Sequence, residues 1–234
     1  MSTYPNRERL VIFDADGTTV DAFHAVEQSF LRHGMDLGDQ GRFRRRRKLF
    51  KYLGGLREFP VNLRRQFGPQ RRKQLLATLT EFYRHEARLY PGMAELLQRL
   101  LAAPDIRVGL VTRNVTLEPQ QTLKQLFARH GIDTDAFDHF SCIGLGEDKT
   151  PVFRRAREHH GINPARSYAC GDEYGDYRAA LGAGMYPFVV AYGVEDPARL
   201  SERYAVPGEF ILSSPEDFAR RLLHTLDLAP APLR

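Results

Sequence analysis

Residues 9–20 read RLVIFDADGTTV. The short apolar run from Arg9 to Phe13 ends at an acid, so it predicts a buried strand with Asp14 just past its C-terminal end. Gly17 follows at the turn, where a residue without a side chain lets backbone approach a ligand closely. Taken alone, the Asp14-x-Asp16 pair reads as readily as a mere turn or helix cap as it does as a functional pair. What decides between these readings is the rest of the chain.

Beyond Val20 the pattern becomes helical. DAFHAVEQSFLRHG places apolar residues at helical spacing from Asp21, with Gly34 as a stop. A second helix is expected over 40–53, ending at Gly54-Gly55, and more helix from Gln70 to Arg88, with no strong strand pattern between Val20 and Tyr90. The pattern changes at Tyr90-Pro91-Gly92. From there helices at 93–103, 118–130, 151–160, 176–183 and 215–226 alternate with strands at 108–112, 140–143, 167–170, 187–191 and 210–213. Such alternation predicts an α/β fold, a doubly wound parallel-sheet, Rossmann-like core covered on both faces. An insert of about seventy residues is too long for a bare loop. Residues 1–20 and 90–234 therefore form the expected core domain, and 21–89 a helical cap domain.

Composition narrows the class. The chain has 234 residues, 42% of them hydrophobic, enough for a core, and no stretch approaches the roughly 18 apolar residues of a membrane span. The N-terminus MSTYPNRERLVIF lacks a secretory signal pattern, and the two cysteines, Cys142 and Cys170, have no metal-type spacing. Two buried reduced thiols in a cytoplasmic protein are expected. Net charge is +5, but residues 21–89 hold 16 Lys/Arg against 7 Asp/Glu, which leaves −4 for the remainder. The run Arg44-Arg45-Arg46-Arg47-Lys48 invites a nucleic-acid reading. Its consecutive residues point in different directions on a helix, so a solvated face is expected instead. None of the eight histidines shows metal spacing.

Four polar clusters follow strand-like runs: Asp14-Ala-Asp16-Gly-Thr, Thr112-Arg113-Asn114, Glu147-Asp-Lys149 and Gly171-Asp172-Glu-Tyr-Gly-Asp176. In an open α/β sheet, ligands bind beyond the carboxyl ends of the strands, so all four can meet in one crevice. Asp14, Asp16 and Asp172 offer hard oxygen ligands suited to Mg²⁺. Crowded carboxylates repel one another without a cation, and an Asp can act as a covalent nucleophile toward phosphate. Thr112 and nearby backbone N–H groups can bind phosphoryl oxygens, and Lys149 can offset charge in the transition state. Each residue also has a plainer reading: Thr112 as a strand end, Lys149 as a solvated surface residue, Asp172 as a helix cap.

The ordered set of four resembles the haloacid dehalogenase superfamily of phosphohydrolases over residues 10 to about 193. VIFDADGTTVD matches that family's first motif, LVTRN the second, Lys149 the third and CGDEYGD the fourth. YPGMAELLQRL is similar to the helix that re-enters the core after a helical cap in phosphoglycolate-phosphatase-like members. The third motif departs from the family's usual Lys-Pro-x-Pro, reading Lys-Thr-Pro here.

The resemblance implies a two-step phosphatase. Asp14 is the nucleophile that becomes an aspartyl-phosphate, and Asp16 protonates the leaving alcohol and then activates water. Mg²⁺ is held by Asp14, the backbone carbonyl of Asp16 and Asp172, with Asp176 supporting it through water or through bonds to its ligands. Gly17, Thr112, Arg113, Asn114 and Lys149 are the expected phosphate-binding residues. Arg57, in the loop after Gly54-Gly55, is the candidate contact for a second anionic group, with an exposed loop residue as the alternative. The expected partner is a small phosphorylated metabolite, with no membrane or nucleic acid, in a cytoplasmic monomer or homodimer. A phosphosugar mutase on the same scaffold is the competing enzyme reading. A non-catalytic protein using its basic insert to bind an acidic partner is the competing reading of another class.

Overall fold

The computed structural model describes residues 7–34 and 69–228. Six parallel strands build the sheet: β1 (Arg9–Phe13), β2 (Ile106–Thr112), β3 (His139–Cys142), β4 (Ser167–Gly171), β5 (Tyr186–Val190) and β6 (Ile211–Leu212), in the spatial order β3-β2-β1-β4-β5-β6. The helices are α1 (Ala22–Arg32), α2 (Pro69–His85), α3 (Met93–Leu101), α4 (Pro119–Arg129), α5 (Thr150–His159), α6 (Tyr174–Gly182) and α7 (Pro215–Thr225). This is the doubly wound arrangement read from the alternation of apolar runs.

Period-two side-chain alternation gives the sheet its two dry faces. From β1, Val11 and Phe13 enter one apolar cluster together with Leu97 of α3, Leu123 and Phe127 of α4 and Phe218 of α7. Leu10 and Ile12 point the other way, onto Val152, Phe153 and Ala156 of α5 and Ala179 and Ala180 of α6. All four of these β1 residues are fully buried. A continuous apolar run is what a strand covered on both faces requires.

The winding reverses direction between β1 and β4. Phe13 pairs with Leu110 on one side and Cys170 on the other, and the Asp14 N–H donates to the Cys170 carbonyl at 2.8 Å. The crevice at this switch point is where such sheets hold ligands. It brings together the ends of β1, β2 and β4.

Two backbone hydrogen bonds tie the run from β1 into α1 to the run from α2 into α3. The Asp21 N–H donates to the Arg88 carbonyl at 3.0 Å and the Tyr90 N–H to the Thr19 carbonyl at 2.9 Å. Of residues 21–89, α1 and α2 are described; they pack against each other, and α2 also lies against α4. Asp21 caps α1 by accepting from the His24 N–H at 3.1 Å. Phe23, Val26 and Phe30 of α1 and Leu75, Leu79 and Phe82 of α2 join the same apolar cluster as Val11 and Phe13. The helix expected over 40–53, the Gly54-Gly55 stop and the basic run Arg44–Lys48 lie outside the described residues.

Several details differ from the sequence reading. β2 begins at Ile106, two residues early, because Arg9 and Leu10 pair with Ile106 and Arg107. Phe210 ends a 3₁₀ turn over Gly208–Phe210, leaving β6 only two residues long. Cys170 is a buried free thiol as expected, but Cys142 is only half-buried at the open end of edge strand β3. No helix among the described residues is long and apolar enough to cross a membrane.

Candidate active site

Asp14 occupies the first position after β1, where the strand's register aims it into the crevice. Its Oδ1 accepts from the Ala15 N–H at 2.8 Å, and its Oδ2 lies 2.6 Å from Lys149 Nζ. Lys149 stands at the N-terminal edge of α5. Asp148 holds that first turn by accepting from the Thr150 N–H and hydroxyl at 3.0 and 2.8 Å. The Lys149 side chain is 1% exposed, which removes the solvated-surface reading. Its ammonium bridges Asp14 and Asp176, whose Oδ1 is 2.7 Å away. Burial opposes a charge on Lys149, yet the two carboxylates outweigh it and hold its pKa above the ordinary lysine value.

The carboxylates behind this contact are divided by their partners. Asp176 gives Oδ1 to Lys149 and Oδ2 to the Glu173 N–H at 3.0 Å, the latter as half of a capping box with Glu173 at the start of α6. Glu173 therefore caps that helix, not Asp172. Asp172 accepts from the Val194 N–H at 2.6 Å through Oδ2, while its buried Oδ1 has no hydrogen-bond partner. One oxygen from each of Asp14, Asp172 and Asp176 lies within 4.8 Å of the others. An orphaned, buried carboxylate oxygen in a cluster of hard donors fits a small divalent cation. Burial, then the neighbouring Asp14 and Asp176 charges, push the Asp172 carboxyl well above the usual range. Asp14 is raised as well, by burial, with Lys149 opposing.

Two glycines make room for Asp172. Gly17 has φ +82°, and a Cβ there would come 2.1 Å from Asp172 Oδ2. A Cβ on Gly193 would fall 2.3 Å from the Gly17 carbonyl oxygen and 2.5 Å from Asp172 Oδ2. Gly17 was legible from its turn; Gly193 was passed over, although a glycine just past the β5 run carries the same signal.

Asp16 lives in a different environment. Its Oδ1 accepts from the Tyr83 hydroxyl at 2.8 Å, and the Asn114 amide donates to Oδ1 and Oδ2 at 3.1 and 2.9 Å. Asn114 is itself oriented by the Thr116 N–H, 2.9 Å from its Oδ1. Burial raises the Asp16 carboxyl to about 7, against the lowering effect of the Tyr83 bond. Tyr83 was missed in the sequence. It sits on a buried helical stripe with Leu75, Leu79 and Phe82, and a buried tyrosine needs a partner for its hydroxyl.

Thr112 ends β2 with its hydroxyl buried beside the Asp14 carboxyl, whose pKa it lowers. Arg113 turns aside: its Nε donates to the Glu147 carbonyl at 3.1 Å and its guanidinium lies 3.8 Å from Glu173. Thus Asp14, Asp16, Gly17, Thr112, Asn114, Lys149, Asp172 and Asp176 converge at one end of the sheet, with Arg113 at the rim. Arg57 lies outside the described residues.

The family model for haloacid dehalogenase-like hydrolases matches residues 11–181. A phosphoglycolate phosphatase of Vibrio cholerae is 24% identical over 79% of this chain and 85% of its own length. One from Synechococcus elongatus is 26% identical over 88% of this chain and 93% of its own. A haloacid dehalogenase family hydrolase from Deinococcus radiodurans, solved with bound phosphate and sodium, superposes with a TM-score of 0.66. It is 19% identical and covers 97% of this chain and all of that one. With four motifs in order on this sheet and a family match over most of its length, the chain belongs to the haloacid dehalogenase-like hydrolases.

Proposed function

We propose that this hydrolase is a Mg²⁺-dependent phosphatase of small phosphomonoesters, with Asp14 as nucleophile and Asp16 as proton carrier. One observation carries the reading: two carboxylates two residues apart have opposite surroundings. Asp14 is gripped by a cationic Lys149, which favours its charged form, whereas Asp16 is buried among neutral donors and titrates near neutrality. A cationic contact suits the first carboxylate to nucleophilic work, and neutral donors around a carboxyl raised to about 7 suit the second to acid–base work.

In this account the Asp14 carboxylate attacks phosphorus while protonated Asp16 gives its proton to the departing alcohol oxygen. Asp16, now ionised, takes a proton from water, whose oxygen attacks the phosphorus of the aspartyl-phosphate. Phosphate leaves, and Asp14 is regenerated with Asp16 protonated. Thr112 offers its buried hydroxyl to a phosphoryl oxygen, and Lys149 neutralises charge gathering around Asp14. Arg113 and Asn114 contribute backbone N–H groups, since their side chains are committed to Glu147 and Asp16. Asp14, Asp172 and the Asp16 carbonyl would hold Mg²⁺, with Asp176 behind them; the bound ion supplies positive charge that lets a dianion approach the acids.

Residues 21–89 are read as a cap over this crevice, their +9 balance favouring a substrate with a second anionic group. Relatives named phosphoglycolate phosphatase support a short phosphorylated carboxylic acid, for which Arg57 is the proposed contact. The two free thiols support a reducing, cytoplasmic setting. The test is a panel of phosphorylated metabolites with Mg²⁺, following released phosphate. Release from a short phosphorylated acid, lost in Asp14→Asn, is the expected result. Isomerisation of a hexose phosphate without phosphate release would replace the phosphatase by a mutase.

A further inference from the structure

Resting on that reading, we propose that Tyr83 is a positioning residue that aims Asp16 at the leaving group. The Tyr83 hydroxyl is the only donor to Asp16 that comes from residues 21–89, among the described residues; it bridges 67 positions of sequence at 2.8 Å. The ring is 2% exposed, so the hydroxyl has no water to turn to.

The helix that carries Tyr83 is itself fixed by further contacts. Arg129 donates to the Tyr83 and Ala87 carbonyls at 3.1 and 2.7 Å, and the Leu117 N–H donates to Thr80 Oγ1 at 2.9 Å. Arg84 pairs with Glu118 at 2.8 Å. The second donor, Asn114, sits on the segment that runs into Leu117 and Glu118. Asp16 is therefore gripped by two donors whose carriers are tied to each other. The Tyr83 hydroxyl holds Oδ1 and the Asn114 amide nitrogen faces both oxygens, so the two donors together fix the orientation of the carboxylate. Without Tyr83, Oδ1 loses its shortest contact and the carboxyl gains freedom to rotate.

Loss of aim should hurt in proportion to how much the leaving group needs a proton. Tyr83→Phe keeps the ring and removes only the hydroxyl. kcat/KM reports the phosphorylation step, and general acid assistance is worth about 10²–10⁴-fold there. In Tyr83→Phe, kcat/KM for an alkyl phosphate should fall about tenfold, a fraction of that assistance, and that for p-nitrophenyl phosphate by no more than about threefold. Asp16→Asn should show the same selectivity more strongly. Equal losses on both substrates, or none, would overturn the proposal. A second measurement does not depend on turnover: a stability cycle of Tyr83→Phe, Asp16→Ala and the double variant. The double variant should lose less than the product of the single losses in unfolding constant, by about fivefold, as contacting pairs do. Strict multiplication would overturn the proposal even if the phosphatase reading held. Failure of wild-type hydrolysis on both esters, with the stability cycle intact, would sink the phosphatase reading and leave the contact.

Discussion

Lys149 Nζ lies 2.6 Å from Asp14 Oδ2, with the lysine side chain 1% and the aspartate side chain 11% exposed. A full cation is thus buried against the proposed nucleophile. Removing one partner of such a pair leaves the other's charge uncompensated. Lys149→Ala should lower turnover by about 10²–10³-fold, the range for losing one transition-state charge stabiliser. Steady-state kinetics on a variant shown to be folded by circular dichroism tests this; activity within a few-fold of wild type would remove Lys149 from the mechanism.

Asp172 and Asp176 should differ toward Mg²⁺. Asp176 has both oxygens engaged, by Lys149 and the Glu173 N–H, whereas Asp172 keeps Oδ1 without a partner. Asp172→Ala should therefore weaken Mg²⁺ affinity more, by at least about tenfold relative to Asp176→Ala. Metal titrations of both variants by calorimetry read the ranking, and a reversed order would contradict the ligand assignment.

The carboxylate cluster makes stability depend on pH in a definite direction. Asp14, Asp16 and Asp172 all have folded-state pKa values above the ordinary carboxyl value near ~4, Asp16 at about 7. The folded chain then binds more protons than the unfolded chain between those limits, so this cluster's contribution to stability falls as pH rises. In chelator, the melting temperature should drop between pH 5 and pH 8 by this contribution. Mg²⁺ should reverse the drop, and at about 100 times its Kd it adds about 2.7 kcal/mol, or roughly 5–10 °C for a chain of this size. A Mg²⁺ effect that is absent, or larger at pH 5 than at pH 8, would contradict the cluster's role as its site.

The fold was legible because its signals are local. RLVIF, VGLVT and SYAC are short apolar runs that each end in a polar cluster, and a parallel sheet puts those ends together. Lys149 and Asp176 were legible as parts of motifs, but not as partners, because a salt bridge across 27 positions depends on how α5 and α6 are set on the sheet. Tyr83 was hidden for the same reason. Its helix pattern gives the buried face, while the identity of the group opposite comes only from the packing of α2 against α4 and the β1 loop. Cys142 was misread as buried because its strand lies at the sheet edge, a placement set by strand order.

The acid role of Asp16 has its own pH signature. A general acid must be protonated, so kcat/KM for an alkyl phosphate should fall as pH rises through the Asp16 pKa, near 7 before bound cation lowers it. p-Nitrophenyl phosphate needs little proton assistance and should lack that limb. Parallel pH profiles for the two substrates would argue that Asp16 is not the proton donor.

The central claim is that phosphate passes through a covalent bond to Asp14. Asp16→Asn retains that nucleophile but cannot activate water, and with p-nitrophenyl phosphate the first step scarcely needs the acid. Rapid quench of this variant with Mg²⁺ should give a burst of about one equivalent of nitrophenol per chain, with the phosphoryl group mapped by mass spectrometry to Asp14. A folded Asp16→Asn enzyme that turns over steadily with no burst and no phosphorylated peptide, or a phosphoryl group on another residue, would contradict it.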